Sequence, residues 1–273
     1  MQPIAVSTEA AEGRAEDGDI VEVTLPTTDA PETVLVHAPD GPARLSDIVP
    51  LARALADRII ASARGRLERD GTPVPCRVGC DACCRYLVPI SVPEAFRLRE
   101  EVFALPASER HEVIEHFISA SQQVLNAAPP DVGDYAHSPG RFGEGDRLRR
   151  IAHWYTSLGV GCPLLHEAAC SVYPQRPLVC REYLVTCSPA ECRRPEAAGA
   201  CSVRLPASVA ESLAQLAAEV EGTDPEAVIL PLALLWTQEN RDRGERTWPA
   251  GELVSRLGDI LARTSAEPGR DAA

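Results

Sequence analysis

Apolar and polar positions alternate at the start of this chain and then switch to helical repeats over most of its length. Residues 20–25 alternate through Val21, Glu22, Val23, Thr24 and Leu25, and residues 33–38 form a second β-prone run. The Pro-, Thr- and Asp-rich turn between them predicts a short hairpin, with a fraying arm as the alternative. The acidic, small-residue stretch 1–18 is expected to be disordered. Over residues 50–67, Leu51, Leu55, Ile59 and Ala63 recur at spacings of four and share one helix face. Ser91 followed by Glu94 is a capping box that opens a helix through Phe103. Further helices are expected over 109–125, with Val113, Phe117 and Val124 inward, and over 146–158, stopped at Gly159. Three more follow over 208–220, 223–239 and 252–263, the middle one kinked at Pro231. Residues 127–145 read as a long loop between two cysteine-bearing halves.

Composition narrows the function classes. Hydrophobic residues make up 45 %, enough for a sizeable core, but aromatics only 4 %, so aliphatic side chains must do most of the packing. The net charge of −13 argues against nucleic acid as a partner, because phosphate neutralisation needs a basic surface. No apolar run reaches membrane-spanning length, and the first residues lack the basic and apolar regions of a secretory signal. The expected location is the cytoplasm, where clustered thiols serve as metal ligands or catalytic groups more often than as disulfides.

The chain has ten cysteines. Cys76, Cys80, Cys83 and Cys84 fall within nine residues, far denser than the use of cysteine as a small core residue produces. Thiols three or four positions apart, with Gly79 allowing a tight backbone, can converge on one ion. Cys162, Cys170, Cys180, Cys187, Cys192 and Cys201 are spread over forty residues and are not diagnostic alone. Together the two groups supply donors for one tetrathiolate site and enough for two. Neighbouring side chains diverge in both helix and strand, so Cys83 and Cys84 are expected to serve different metals, or one of them is a buried bystander. His166, between Cys162 and Cys170, reads as a solvated loop residue. The spacing of Cys76, Cys80 and Cys83 also fits a radical-cluster motif, but the helices expected after Cys84 do not suit the barrel that accompanies one.

Cys76 to Arg85, followed by Leu87, Pro89, Ser91 and Glu94, resembles the YkgJ-like cysteine-cluster family, also called the CxxCxxCC zinc- or iron-chelating family. One departure is that three residues separate Cys76 from Cys80. A second signature lies in Cys162-Pro-Leu-Leu and in the run from Cys170 through Tyr173, Pro174, Arg176 and Pro177 to Cys180 and Arg181. The resemblance covers roughly residues 70–205. It implies metal chelation by Cys76, Cys80, Cys83, Cys84, Cys162, Cys170, Cys180 and Cys192; Cys187 and Cys201 fall outside the pattern, and Cys187 is the expected additional donor, or a substitute if one of the eight is structural. Arg77, Arg85, Arg176 and Arg181 lie near these thiols in sequence. Arg85, Arg176 and Arg181, which match the motif, are expected to offset the thiolate charge or donate hydrogen bonds to sulfur.

The fold expected is mainly α: an irregular helical domain organised around cysteine-ligated metal, with a short N-terminal β-hairpin. Residues 1–44 form an arm, 45–205 the metal-binding domain, 206–265 helices packed on it, and 266–273 a loose tail. The cofactor is an iron–sulfur cluster or zinc, soft all-sulfur ligation suiting both. Flagellin lysine methylases carry a related cluster, reportedly iron–sulfur, which tips the choice slightly to iron. Three functions compete: a metal-centre protein with a protein or small-molecule partner, a protein-modifying enzyme of the lysine-methylase kind, and a structural zinc module. No glycine-rich cofactor-binding turn supports the enzyme.

Overall fold

The computed structural model describes residues 4–7, 18–127, 140–141, 145–194 and 201–265. In chain order the elements are β1 (Ala5–Ser7), β2 (Gly18–Leu25), β3 (Glu32–Pro39), β4 (Pro42–Arg44), α1 (Val49–Arg69), β5 (Pro89–Ser91), α2 (Val92–Ala104) and α3 (Ala107–Asn126). Then come β6 (Gly140–Arg141), α4 (Gly145–Leu158), β7 (Leu165–His166), β8 (Ala169–Cys170), α5 (Leu178–Glu182) and α6 (Pro189–Cys192). The chain closes with α7 (Val209–Glu221), β9 (Glu226–Ile229), α8 (Ala233–Glu239), α9 (Arg241–Gly244), β10 (Thr247–Pro249) and α10 (Ala250–Ser265). Helices take about 55 % of the described residues and the strands are short, so the fold is mainly α.

The alternation near the start becomes a hairpin. β2 and β3 pair antiparallel with Val21 opposite Val36 and Val23 opposite Val34, and Val23, Leu25, Val34 and Val36 are buried. β1 adds to the other edge of β3, with Ile4 buried beside it. Disorder across 1–18 is therefore corrected for residues 4–7: the open edge of β3 offers backbone partners, and Ile4 has an apolar site to fill. Gly18 opens β2, and the rest of that stretch lies outside the described residues, as do 128–139 and 142–144 of the expected loop and 266–273 of the expected tail.

Leu51, Leu55 and Ile59 of α1 point into one continuous core. It includes Val23, Leu25 and Val36 of the sheet, Leu213 and Leu216 of α7, and Leu253, Leu257 and Leu261 of α10. Each of these positions recurs at helical or strand period, so burial and local structure agree. A second cluster joins Ile90, Phe96, Leu98, Val113, Phe117, Leu164, Val228 and Trp236. The buried Arg53–Glu101 pair, with bonds of 2.6 and 3.1 Å, ties α1 to α2.

The helix expected over 223–239 is not formed as such. Residues 226–229 are β9, the central strand between β5 and β6, with Ile90 opposite Val228. Pro231 lies in a 3-10 turn, Leu230–Leu232, and α8 follows it. Ala227, Val228, Ile229 and Leu230 are all buried, a continuous apolar run that suits a strand covered on both faces, and periodicity alone does not separate that from a buried helix. No helix among the described residues is long and apolar enough to cross a membrane.

Candidate metal centre

The first cysteine segment hangs from the end of α1. Arg64 of α1 donates to the carbonyls of Val74 and Cys76, at 3.3 and 3.1 Å, and pins the descending chain against the helix. Gly79 then turns the backbone at φ 79°, the left-handed region that favours glycine, and Cys80 N–H returns to Arg77 O at 3.2 Å. A second turn follows at once: Cys84 N–H donates to Asp81 O and Tyr86 N–H to Cys83 O, each at 3.0 Å. The doublet therefore sits in a turn, neither helix nor strand.

The second segment begins after Gly159, and Cys162 N–H donates to Cys84 O at 2.8 Å, joining the two halves directly. A tight hairpin of β7 and β8 carries Cys170, turning through Glu167 and Ala168 at φ 45° and 62°. Cys180 lies on the five-residue helix α5, whose position is set by two buried carboxylates. Glu94, the capping-box residue of α2, accepts Ser91 N–H through one oxygen and, through the other, Leu178 N–H at 2.7 Å, so it caps two helices. Glu182, at the other end of α5, accepts from Ser208 Oγ and from the N–H groups of Val209 and Ala210, capping α7. Burial raises the Glu94 carboxyl and pushes Glu182 up to about 7.

Cys192 closes α6, a single turn opened by a Ser188–Glu191 capping box. Tyr86 Oη donates to Cys192 O, and Arg193 pairs with Asp81 at 2.9 Å, so the second segment is fastened onto the first cysteine turn. Tyr86 and Tyr183 meet edge-on with centroids 6.0 Å apart.

The thiols gather around two apolar clusters. Cys162, Cys170 and Cys180 pack against the one that contains Ile90, Leu164, Val172 and Trp236. Cys76, Cys80 and Cys192 pack around Ala82 and Val185. Burial raises the thiols of Cys76, Cys170 and, most strongly, Cys180, and pushes Cys162 up to about 12 and Cys192 up to about 11. Cys83 departs from this trend. Its thiol is lowered, chiefly by the neighbouring Cys84, while Cys84 itself is raised. The doublet lies in the 81–86 turn, so the divergence of neighbours that holds in helices and strands does not by itself fix where its two sulfurs point.

Cys187 corrects another expectation. It is bonded to Cys201 in a disulfide rather than standing as an additional donor. The loop so closed is also drawn together by Thr186 N–H to Cys201 O at 3.0 Å and Val203 N–H to Leu184 O at 2.8 Å. The other eight cysteines are free.

The three expected arginines divide. Arg176 stacks over the Tyr173 ring at 4.0 Å, and its charge favours the thiolates of Cys83 and Cys170. Arg85 is exposed. Arg181 is buried, and its donors go to Asp57 of α1 and to the carbonyls of Pro174 and Arg176, so it holds the 174–176 backbone rather than sulfur. His166 lies half-exposed with Nδ1 2.7 Å from Glu112, as a solvated residue would. Arg64, which favours the Cys76 thiolate, was not legible as a site residue, because it lies twelve positions away on what reads as an ordinary amphipathic helix.

The donor set suits a soft metal: eight free thiols packed in two groups, with guanidinium groups close to both. Among the described residues no three His, Cys, Asp or Glu side chains already stand around a common point in ligating geometry. The thiols are gathered but not closed. Residues 75–202 match the model of the CxxCxxCC family, described as "Putative zinc- or iron-chelating domain". This stretch is a CxxCxxCC domain. The match spans both cysteine segments and the helices between them, and it makes metal binding the coarse function. No curated protein and no solved structure matches the chain.

Proposed function

We propose that the CxxCxxCC domain binds iron, as an iron–sulfur cluster, or zinc through the thiolates of Cys76, Cys80, Cys83, Cys84, Cys162, Cys170, Cys180 and Cys192. The observation that carries this reading is the sorting of the ten cysteines. The two outside the motif, Cys187 and Cys201, are bonded to each other, and the eight that match it are free and gathered. Soft, all-sulfur donors suit both metals, and the resemblance to flagellin lysine methylases favours iron slightly. An iron–sulfur cluster would supply one-electron chemistry, whereas zinc would supply a redox-silent cross-link.

The protein's own contribution is to hold thiols that burial keeps neutral until metal displaces their protons. Arg176 and Arg64 offset the negative charge so created. The reading includes a cytoplasmic location, which the Cys187–Cys201 bond does not itself favour, and a protein or small-molecule partner rather than nucleic acid, given the net charge of −13. Anaerobic purification tests it. A brown protein with iron and acid-labile sulfide is expected. A colourless protein with stoichiometric zinc would remove the iron half, and a protein without bound metal would overturn the whole.

A further inference from the structure

We infer that Cys187 and Cys201 form a thiol–disulfide exchange site whose substrate is a dithiol reductant, and that their bond is a reducible clasp over Cys76, Cys80 and Cys192. The metal-binding reading leaves both of these cysteines unused, and the clasp would work with or without metal on the other eight.

The bond joins two short lengths of chain that are otherwise lightly held together. Val185 and Ser202 form an isolated antiparallel bridge, flanked by Thr186 N–H to Cys201 O at 3.0 Å and Val203 N–H to Leu184 O at 2.8 Å. Thr186 Oγ1 adds a longer contact of 3.3 Å to the same Cys201 carbonyl. Even a full two-stranded hairpin is only marginally stable in water, so a ladder this short depends on the covalent bond beside it.

The bond is also placed where a reductant can reach it and where opening it has a consequence. Cys187 and Cys201 are each half-buried, and each is followed by an exposed serine, Ser188 and Ser202. Both pack against Ala82, Val185 and Cys192, the same small cluster on which Cys76 and Cys80 lie. Cys187 leads directly into Ser188, the N-cap of α6, and α6 carries Cys192. The other fastenings of this piece are single contacts, Tyr86 Oη to the Cys192 carbonyl and the well-exposed Arg193 to Asp81. Opening the clasp therefore loosens the chain that packs with Cys76 and Cys80. Cys162, Cys170 and Cys180 pack on the other cluster and are not under it.

The exchange balances with the dithiol alone. One thiolate of the reductant attacks a sulfur of the pair, the bond between Cys187 and Cys201 breaks, and the displaced sulfur leaves as a thiolate and takes up a proton. The reductant's second thiolate then displaces the first from the mixed disulfide and closes the reductant's own ring. Two electrons have passed from the dithiol to the pair, and its two protons end on Cys187 and Cys201. The reverse sequence, with an oxidised dithiol, closes the clasp.

Disulfide mapping and thiol labelling of the full chain test the clasp. Protein purified without thiol reductant should give a linked Cys187–Cys201 peptide pair on unreduced digestion and tandem mass spectrometry. Dithiothreitol, without denaturant, should open that link. After desalting, iodoacetamide should label Cys76, Cys80 and Cys192 several-fold faster than in the linked protein, with Cys162, Cys170 and Cys180 unchanged. The double variant Cys187→Ser/Cys201→Ser should label at the fast rate with or without dithiothreitol, which separates the clasp from any action of the reductant on bound metal. A chain that shows no link either as purified or after exposure to oxidised glutathione would overturn the proposal. So would a link that yields only after denaturation, which would make it a permanent staple, or labelling rates that stay level or rise equally at all six thiols. Mapping and labelling of the unmodified chain decide the matter even if the variant fails to fold. A protein without bound metal would defeat the metal-binding reading and leave these readouts intact.

Discussion

The body of this molecule and its cysteine segments are held by different physics. In the body, Leu51, Leu55 and Ile59 of α1, Leu213 and Leu216 of α7 and Leu253, Leu257 and Leu261 of α10 form a dry core at helical spacing. In the segments 70–88 and 159–194, regular structure shrinks to turns, a four-residue hairpin of β7 and β8, and the short helices α5 and α6. There the order comes from individual polar contacts: Arg64 on two carbonyls, Glu94 on Leu178 N–H, Tyr86 on the Cys192 carbonyl. A core of branched side chains is robust because its contacts are many and interchangeable. A set of single hydrogen bonds is not, and metal ligation is what would convert it into a fixed structure.

The largest break between the regions should come from stripping the metal. Structural zinc contributes on the order of 10 kcal/mol or more in small sites, so its loss should outweigh any single side-chain change in the cysteine segments. Limited proteolysis should then cut within 159–194 while far-ultraviolet circular dichroism keeps the signal of α1, α7 and α10. Full protease protection after verified metal loss would mean that the polar contacts suffice alone.

A smaller effect should follow at the joint between the regions. Glu94 is buried and accepts from both α2 and α5, so Glu94→Gln turns one accepting oxygen into a donor facing an N–H group. The cost should be about 1–3 kcal/mol in denaturant unfolding, and metal retention should fall because α5 carries Cys180. Unchanged stability together with unchanged metal content would show that α5 is held by its thiolate alone.

The smallest effect belongs to the rim. Asp81 and Arg193 pair at 2.9 Å with the arginine well exposed, so Asp81→Asn should cost about 0–1 kcal/mol and less at high salt. A larger, salt-independent loss would mean that the Asp81 side chain does more than pair with Arg193.

Much of the body was legible because period and burial coincide there. The spacing of Leu51, Leu55 and Ile59 reports a helix face whatever packs on it, and the alternation from Val21 to Leu25 reports a strand. Where they part, reading failed. Glu226 to Ile229 looks helical in sequence and is a strand, because β5 and β6 pair with its backbone on either side while Ala227, Val228 and Ile229 are buried on both faces. The start of the chain failed in the opposite direction: nothing local in residues 5–7 reveals that β3 has an open edge to receive them.

The candidate site divides along the same line. The chain by itself determined which side chains are candidates for the chemistry: cysteines at metal-ligand spacing, a glycine where the backbone turns left-handed, a capping box at Ser91 and Glu94. Identity and local spacing are properties of neighbours in sequence, and these features need nothing else. Only the tertiary structure decided how the donors are sorted. It bonded Cys187 to Cys201, turned Arg181 to Asp57, brought Arg64 to the Cys76 carbonyl, and folded the doublet into a turn. Each of those outcomes depends on contacts between segments tens of residues apart or on a backbone conformation those contacts impose, and no periodicity along the chain encodes them.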